Sequence, residues 1–422
     1  MDLTSPYALI IEASVILILS FFFGELSKKT SIPSVLLLII LGVLIKLGLD
    51  TLHIGNVDFF PLLEMLGIVG LIMIVLEAAL ELKLERDKVI PISISFGVAI
   101  VGLLLSTWIT AMILQYYIVG MDSLHAWLYA TPLSILSSAI IIPSVIHLRG
   151  DKKEFHIYES TFSDILGIML FYFLTAKIHG AVGEQEMSNG LFAYGLTIGI
   201  TILLSLVFSY VVILLFQLVN SDAKQFLLLS VLLLLYSIGK LMHLSSLLII
   251  LIFGLVIANM DLFFKGPLKK LLEKAKAQEI YHGLHVVTME TAFVVRTFFF
   301  VIFGITIVFS SLASWNVFAI SALCIVVIYV IRFVLLRSTV GSDILPQVWI
   351  APRGLITVLL YYAIPVEAKV EGFSEGILLF IIIGTSLIMT FGMIADKRRS
   401  RIAINRAKSN AISESKWKAP EI

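Results

Sequence analysis

Between residues 158 and 167 the chain reads Tyr-Glu-Ser-Thr-Phe-Ser-Asp-Ile-Leu-Gly, which puts acids and hydroxyls at Glu159, Ser160, Ser163 and Asp164. Four residues make about one helical turn, so Glu159 stacks with Ser163, and Ser160 with Asp164 on the neighbouring face. The result is a narrow polar stripe with two carboxylates and two hydroxyls. Hard monovalent cations want such oxygen ligands. A carboxylate there can also take up a proton, so one stripe could serve either ion.

Two further segments carry helix breakers. The first runs from Thr131-Pro132 through Ser134, Ser137 and Ser138 to Pro143; the second runs from Pro346 through Ala351-Pro352-Arg353-Gly354 to Pro365. Unwound backbone inside a membrane is tolerated only where protein buries it or a cavity is lined by it. Three basic residues, Arg296, Arg332 and Arg353, fall inside or at the edge of apolar runs, as do the acids Glu12, Glu64, Glu77, Glu159, Asp164 and Glu290. An ionised group at the bilayer centre costs at least ~2.5–3.5 kcal/mol on insertion scales. Such groups therefore mark either structural ion pairs between helices or an ion pathway, and their density around residues 156–178 favours the pathway.

The elements that position these groups follow from hydropathy. Of 422 residues 59% are hydrophobic and 14% charged, against roughly 45–50% and 25% in soluble domains. Mean hydropathy is +1.05. A soluble globule could not hide that much apolar surface. The single Cys324 excludes a disulfide scaffold, and a net charge of +1 without a basic face argues against nucleic acid. Thirteen apolar runs lie near 7–24, 32–49, 60–80, 90–117, 124–147, 156–178, 190–219, 224–241, 244–261, 285–309, 314–336, 345–365 and 375–395. A helix needs about 20 apolar residues to span. Runs such as Val35–Val43 do not alternate, which excludes a transmembrane barrel. The first run lacks a basic leader and reads as a retained helix. The fold expected is an all-α polytopic membrane protein. If spans 1–6 repeat as 8–13, the two proline-broken spans, five and twelve, correspond, as in inverted-repeat transporters.

Lysine and arginine orient the chain. Loops after odd-numbered spans and the tail hold 23 of them, and loops after even-numbered spans only four, Lys46, Lys177, Lys240 and Lys369. The expectation is an integral protein of the plasma (inner) membrane, with its N-terminus outside and its C-terminus in the cytoplasm.

Over its thirteen spans the chain resembles the monovalent cation/proton antiporters. Ser31-Ile32-Pro33-Ser34 and Leu41-Gly42 are similar to that family's second helix, Ile74 to Leu82 with Glu77 to its third, and Glu159-Ser160 with Ser163-Asp164 to its ion-binding helix. Arg296 to Ile305 resembles the tenth helix, Arg332 falls where the eleventh carries a Lys or Arg, and Trp349 to Leu355 is similar to the broken twelfth. Ser163 stands where electroneutral members carry asparagine and electrogenic ones aspartate. Ser137-Ser138 is closer to Kef-type members than to the Thr-Asp-Pro of sodium exchangers, although no large nucleotide-binding domain follows the last span.

The resemblance implies that Asp164 binds cation and proton in turn, that Ser160, Ser163, Ser137 and Ser138 help form the oxygen shell, and that Glu77 contributes through water. It implies that Glu159 and Arg332 form a structural ion pair and that Arg353 balances helix-end charge where the broken spans cross. By fold analogy, residues 1–83 and 223–312 would form a dimerising domain. Residues 84–180 and 313–395 would form a moving core, 181–222 a linker, and 396–422 a basic cytoplasmic tail. The partners expected are Na+ (or K+ or Li+), H+, the lipid bilayer and a second copy of the chain, with no cofactor. The exchange expected is Na+ for H+, electroneutral; a Kef-type K+/H+ system and an ion-coupled organic-anion symporter are the alternatives. Enzyme motifs and a Walker loop are absent from the sequence, and the filter-like Thr339–Asp343 occurs only once, in an expected loop. His147, His156, His282 and His285 are expected near headgroups, and the Lys265–Glu279 loop is expected to be solvated or lipid-facing.

Overall fold

The computed structural model describes residues 6–30, 32–51, 60–84, 86–145, 148–182, 190–219, 224–241, 246–264, 273–307 and 314–415. Its helices are α1 Pro6–Thr30, α2 Ser34–Thr51, α3 Phe60–Glu81, α4 Val89–Tyr117, α5 Ser123–Ser134, α6 Ser138–Ser144, α7 Gly150–Val182 and α8 Gly190–Phe216. They continue as α9 Lys224–Leu241, α10 Ser246–Ala258, α11 Met260–Phe263, α12 Lys274–Thr306, α13 Trp315–Thr339, α14 Leu355–Tyr362 and α15 Glu375–Ser415. No strand occurs among the described residues. Each of the thirteen apolar runs carries helix, and among the described residues nine helical stretches are long and apolar enough to cross a membrane by themselves. The runs near 124–147 and 345–365 are the interrupted ones.

The largest departures from the hydropathy reading are at helix ends. α7 begins at Gly150 and α12 at Lys274, each before its apolar run, and α15 continues twenty residues past 395 into the basic tail. Hydropathy marks where a helix meets lipid, whereas backbone hydrogen bonding continues into water. His147, residues 265–272 of the basic loop, and Lys416 and Lys418 lie outside the described residues.

Contacts fall largely into two sets. α12 packs on α2, α3 and α9, and α10 on α3, α8 and α9; separately, α4 packs on α5, α7 and α13, and α13 on α15. α3 touches α7 and α14, joining the two sets. Small residues allow the closest approach. A Cβ on Gly42 would lie 2.1 Å from the Val301 carbonyl oxygen, and one on Gly304 would lie 2.4 Å from that of Ile39, so α2 and α12 meet backbone to backbone.

The fifth span breaks where expected. α5 contains Pro132 and ends at Ser134, residues 135–137 leave the helix with Ile135 and Ser137 extended, and α6 restarts at Ser138. In the twelfth span a short 3-10 turn, Gln347–Trp349, leads into non-helical backbone at 350–354 before α14. Pro352 disfavours helix at the residue before it and removes a donor.

Candidate ion-binding site

The two unwound stretches touch. Ser137 donates its backbone N–H to the Pro352 carbonyl at 3.0 Å. Gly354 allows this approach, because a Cβ there would stand 2.5 Å from Ser137 Oγ and 2.8 Å from Ile140 Cδ1. Breaking a helix leaves backbone groups without their usual partners, and side chains take them up here. Arg353, fully buried, donates from Nε to the Leu133 carbonyl at the end of α5 (2.8 Å) and from Nη1 to that of Ala351 (3.3 Å). Its own N–H is held by Thr385 Oγ1 at 3.1 Å.

α7 lies against this crossing and delivers the polar stripe. Leu136 donates its N–H to Ser163 Oγ at 3.0 Å, and Ser138 donates its N–H to Asp164 Oδ2 at 3.3 Å. Asp164 is 1% exposed. Its second oxygen, Oδ1, has no hydrogen-bond partner, and neither has the buried Ser137 Oγ. Buried polar atoms are rarely left so. Oxygen donors without partners beside a carboxylate fit a hard monovalent cation, and the carboxylate fits a proton. Ser160 is turned back on its own helix, donating from Oγ to the His156 carbonyl at 2.7 Å. A cavity of about 30 Å³ lies beside Ser134, Ser163, Glu159, Arg332 and Arg353, enough for roughly one or two waters.

Glu159 is differently placed. Arg332 donates from Nη1 to Oε1 at 2.9 Å and from Nη2 to Oε2 at 3.1 Å, and donates from Nε to the Gln347 carbonyl at 2.9 Å. α7, α13 and the 3-10 turn are thereby tied together. His156 adds a bond from Nδ1 to Glu159 Oε2 at 3.1 Å. The expectation that His156 faces headgroups is corrected: its side chain is 0% exposed. Its spacing of three residues from Glu159 on one helix was the available signal.

Glu77 pairs with Arg296, Nη2 to Oε2 at 2.8 Å, a partnership the sequence reading did not foresee. The two residues lie 219 apart in the chain, with no local pattern joining them. Glu12 and Glu290 are exposed on α1 and α12, while the Glu64 side chain lies outside what is described. Among the described residues no three His, Cys, Asp or Glu side chains form a metal-ligand group.

The model of the sodium/hydrogen exchanger transmembrane family matches residues 15–395. The chain belongs to the sodium/hydrogen exchanger family. This exchanger is therefore an integral-membrane cation/proton antiporter, in a family of transporters. Its fold is similar to the structure of the sodium proton antiporter MjNhaP1 from Methanocaldococcus jannaschii at pH 8, with a TM-score of 0.65 and 21% identity over 94% of this chain and 99% of that one. A three-dimensional electron-microscopy map of the same antiporter gives a structure that matches with a TM-score of 0.63 and 18% identity, over 99% and 100% of the two chains. No curated protein matches the exchanger.

Proposed function

We propose that the exchanger moves Na+ against H+, one for one, with Asp164 carrying each in turn. The observation that carries this reading is the fully buried Asp164 carboxylate with Oδ1 unpartnered at the crossing, its Oδ2 held by the N–H of Ser138, whose chain neighbour Ser137 also has an unpartnered Oγ. Asp164 Oδ1 and Ser137 Oγ are the first ligands of the cation, Ser138 holds the carboxylate through its N–H, and Ser163 pins the unwound chain. Ser160 adds an oxygen after a rotamer change, and Glu77 adds one through water. Glu159 and Arg332 are a structural pair, and Arg353 neutralises the C-terminal end of α5.

One exchangeable acid supports electroneutral exchange. Ser163 does not ionise near neutrality, and Glu159 is held by the Arg332 guanidinium. The set of helices 84–180 and 313–395 moves against 1–83 and 223–312, with 181–222 linking them, so that Asp164 faces each side alternately. The 23-to-4 division of basic residues supports an outside N-terminus and a cytoplasmic C-terminus in the plasma (inner) membrane. Exposed Glu12 and Glu290, on α1 and in the middle of α12, support a homodimer, because a carboxylate facing lipid is costly and a second copy would cover it.

Proton flux into everted vesicles, with Na+, Li+ and K+ added in turn, tests the cation; a response to K+ alone would replace Na+ by K+. Reconstituted liposomes clamped at different potentials with K+ and valinomycin test the stoichiometry with Na+ as substrate. Voltage-independent exchange is expected, and an equilibrium that shifts with potential would refute one-for-one transport.

A further inference from the structure

A second ion pair between spans lies at the seam of α3 and α12. The Glu77 and Arg296 side chains are only 17% and 18% exposed, and their single contact, 2.8 Å from Nη2 to Oε2, leaves the buried Arg296 Nε without a partner. Glu81 stands one turn further along the same face of α3, within range of the charges of both Glu77 and Arg296. Among the described residues its side chain makes no hydrogen bond or salt bridge. Glu77 is in turn within electrostatic range of Asp164, across the contact of α3 with α7. Lys83, Tyr281 and His285 complete the surroundings. Lys83 Nζ sits 5.2 Å from the Tyr281 ring, His285 stacks on that ring, and Tyr281 donates its hydroxyl to the Leu80 carbonyl. None of the three bonds to Glu77 or Glu81 among the described residues.

Glu77 thus has two cations to choose between, the Arg296 guanidinium and an ion at Asp164, and Arg296 has two carboxylates. We propose that Arg296 is a positioning residue that holds Glu77 back from the cation at Asp164, and that Glu81 takes over the guanidinium when the cation draws Glu77 away. This rests on the reading of Asp164 as the cation site. A guanidinium stranded without a counter-charge in a buried seam would be costly. With Glu81 one turn away it changes partner and never stands alone. The cation therefore competes with Arg296 for Glu77, which weakens its binding and speeds its release. A transport site must bind well enough to load and weakly enough to unload.

Purified full-length protein in liposomes, assayed for exchange against Na+ concentration at fixed pH, tests this. Arg296→Gln frees Glu77, so KM for Na+ falls about fivefold or more, and kcat falls as release slows. Arg296→Lys keeps a cation on Glu77 and keeps KM near the parent value. Glu81→Gln removes the acceptor and raises KM by a similar factor, and Glu81→Asp restores it. In a Glu77→Gln background Arg296→Gln changes nothing, and adding Glu81→Gln to Arg296→Gln leaves KM where Arg296→Gln set it. An unchanged KM in Arg296→Gln, a shift that persists without Glu77, or a further rise on adding Glu81→Gln would overturn the inference. If Arg296→Gln does not fold, Glu81→Gln decides, and an unmoved KM overturns it. Exchange that survives Asp164→Asn would defeat the reading of the site itself. Exchange lost in Asp164→Asn, with KM unmoved in the seam variants, would defeat this inference alone.

Discussion

Glu159 and Asp164 sit five residues apart on one helix, each 1% exposed, and both are carboxylates. Glu159 meets the two Nη groups of Arg332 and the ring of His156, three donors in all. Asp164 meets one backbone N–H at 3.3 Å and keeps one oxygen free. The same chemical group is tied down in one place and left available in the other. A carboxylate saturated by a guanidinium holds helices together, since removing either partner strands a buried charge. A carboxylate with spare coordination can bind and release an ion. The partners, and not residue type or depth, set these two acids apart, and on the proposed reading they separate a structural acid from the transporting one.

The sharpest way to break this comparison is at Asp164. Asp164→Asn keeps the shape and the acceptor for Ser138 N–H but cannot exchange a proton. Exchange is expected to fall to background in reconstituted liposomes while the protein still elutes as a folded species; exchange at the parent rate would void the distinction.

Next comes the tied acid. Glu159→Gln or Arg332→Gln should each cost ~3–5 kcal/mol, and the double replacement should cost less than the two losses added. A thermal-melt double-mutant cycle measures the coupling. Simple additivity would mean that the pair does not act as a unit.

The crossing that frames Asp164 gives a smaller effect. Gly354→Ala drives a methyl group to 2.5 Å from Ser137 Oγ, so a loss of about 1–3 kcal/mol is expected, seen as a lowered melting temperature together with reduced transport. An unaltered melt would show that the two unwound stretches can separate freely.

The smallest effect lies at the start of α5. Asp122 caps this half-helix, accepting from the His125 N–H at 3.0 Å. Partial burial alone would raise its pKa, but the backbone and ring donors of His125 outweigh burial, so the carboxyl titrates below the ordinary aspartate value. A depressed folded value means the cap contributes fully above the unfolded pKa and is lost as pH falls through the folded one. Asp122→Ala should cost about 0.5–2 kcal/mol at neutral pH, and its difference from the parent should vanish in acid. A difference that persisted at low pH would assign the effect to packing.

Hydropathy and proline spacing in the sequence determined the thirteen helical runs, the two interrupted ones, and the stripe from Glu159 to Asp164. Each of these is a property of neighbours within one or two turns, where backbone geometry alone fixes which side chains share a face. The type and position of Arg332 marked it as needing a counter-charge. Which acid would meet it was expected from resemblance to a family, and no spacing in the chain dictates a pair 173 residues apart. Only the tertiary structure decided that His156 joins that pair, that Arg296 reaches Glu77, that Ser160 turns back on its own helix, and that Asp164 keeps a free oxygen. These outcomes depend on how helices distant in sequence lie against one another in space. A side chain's partner is chosen by proximity after packing, and the local sequence carries no record of that choice.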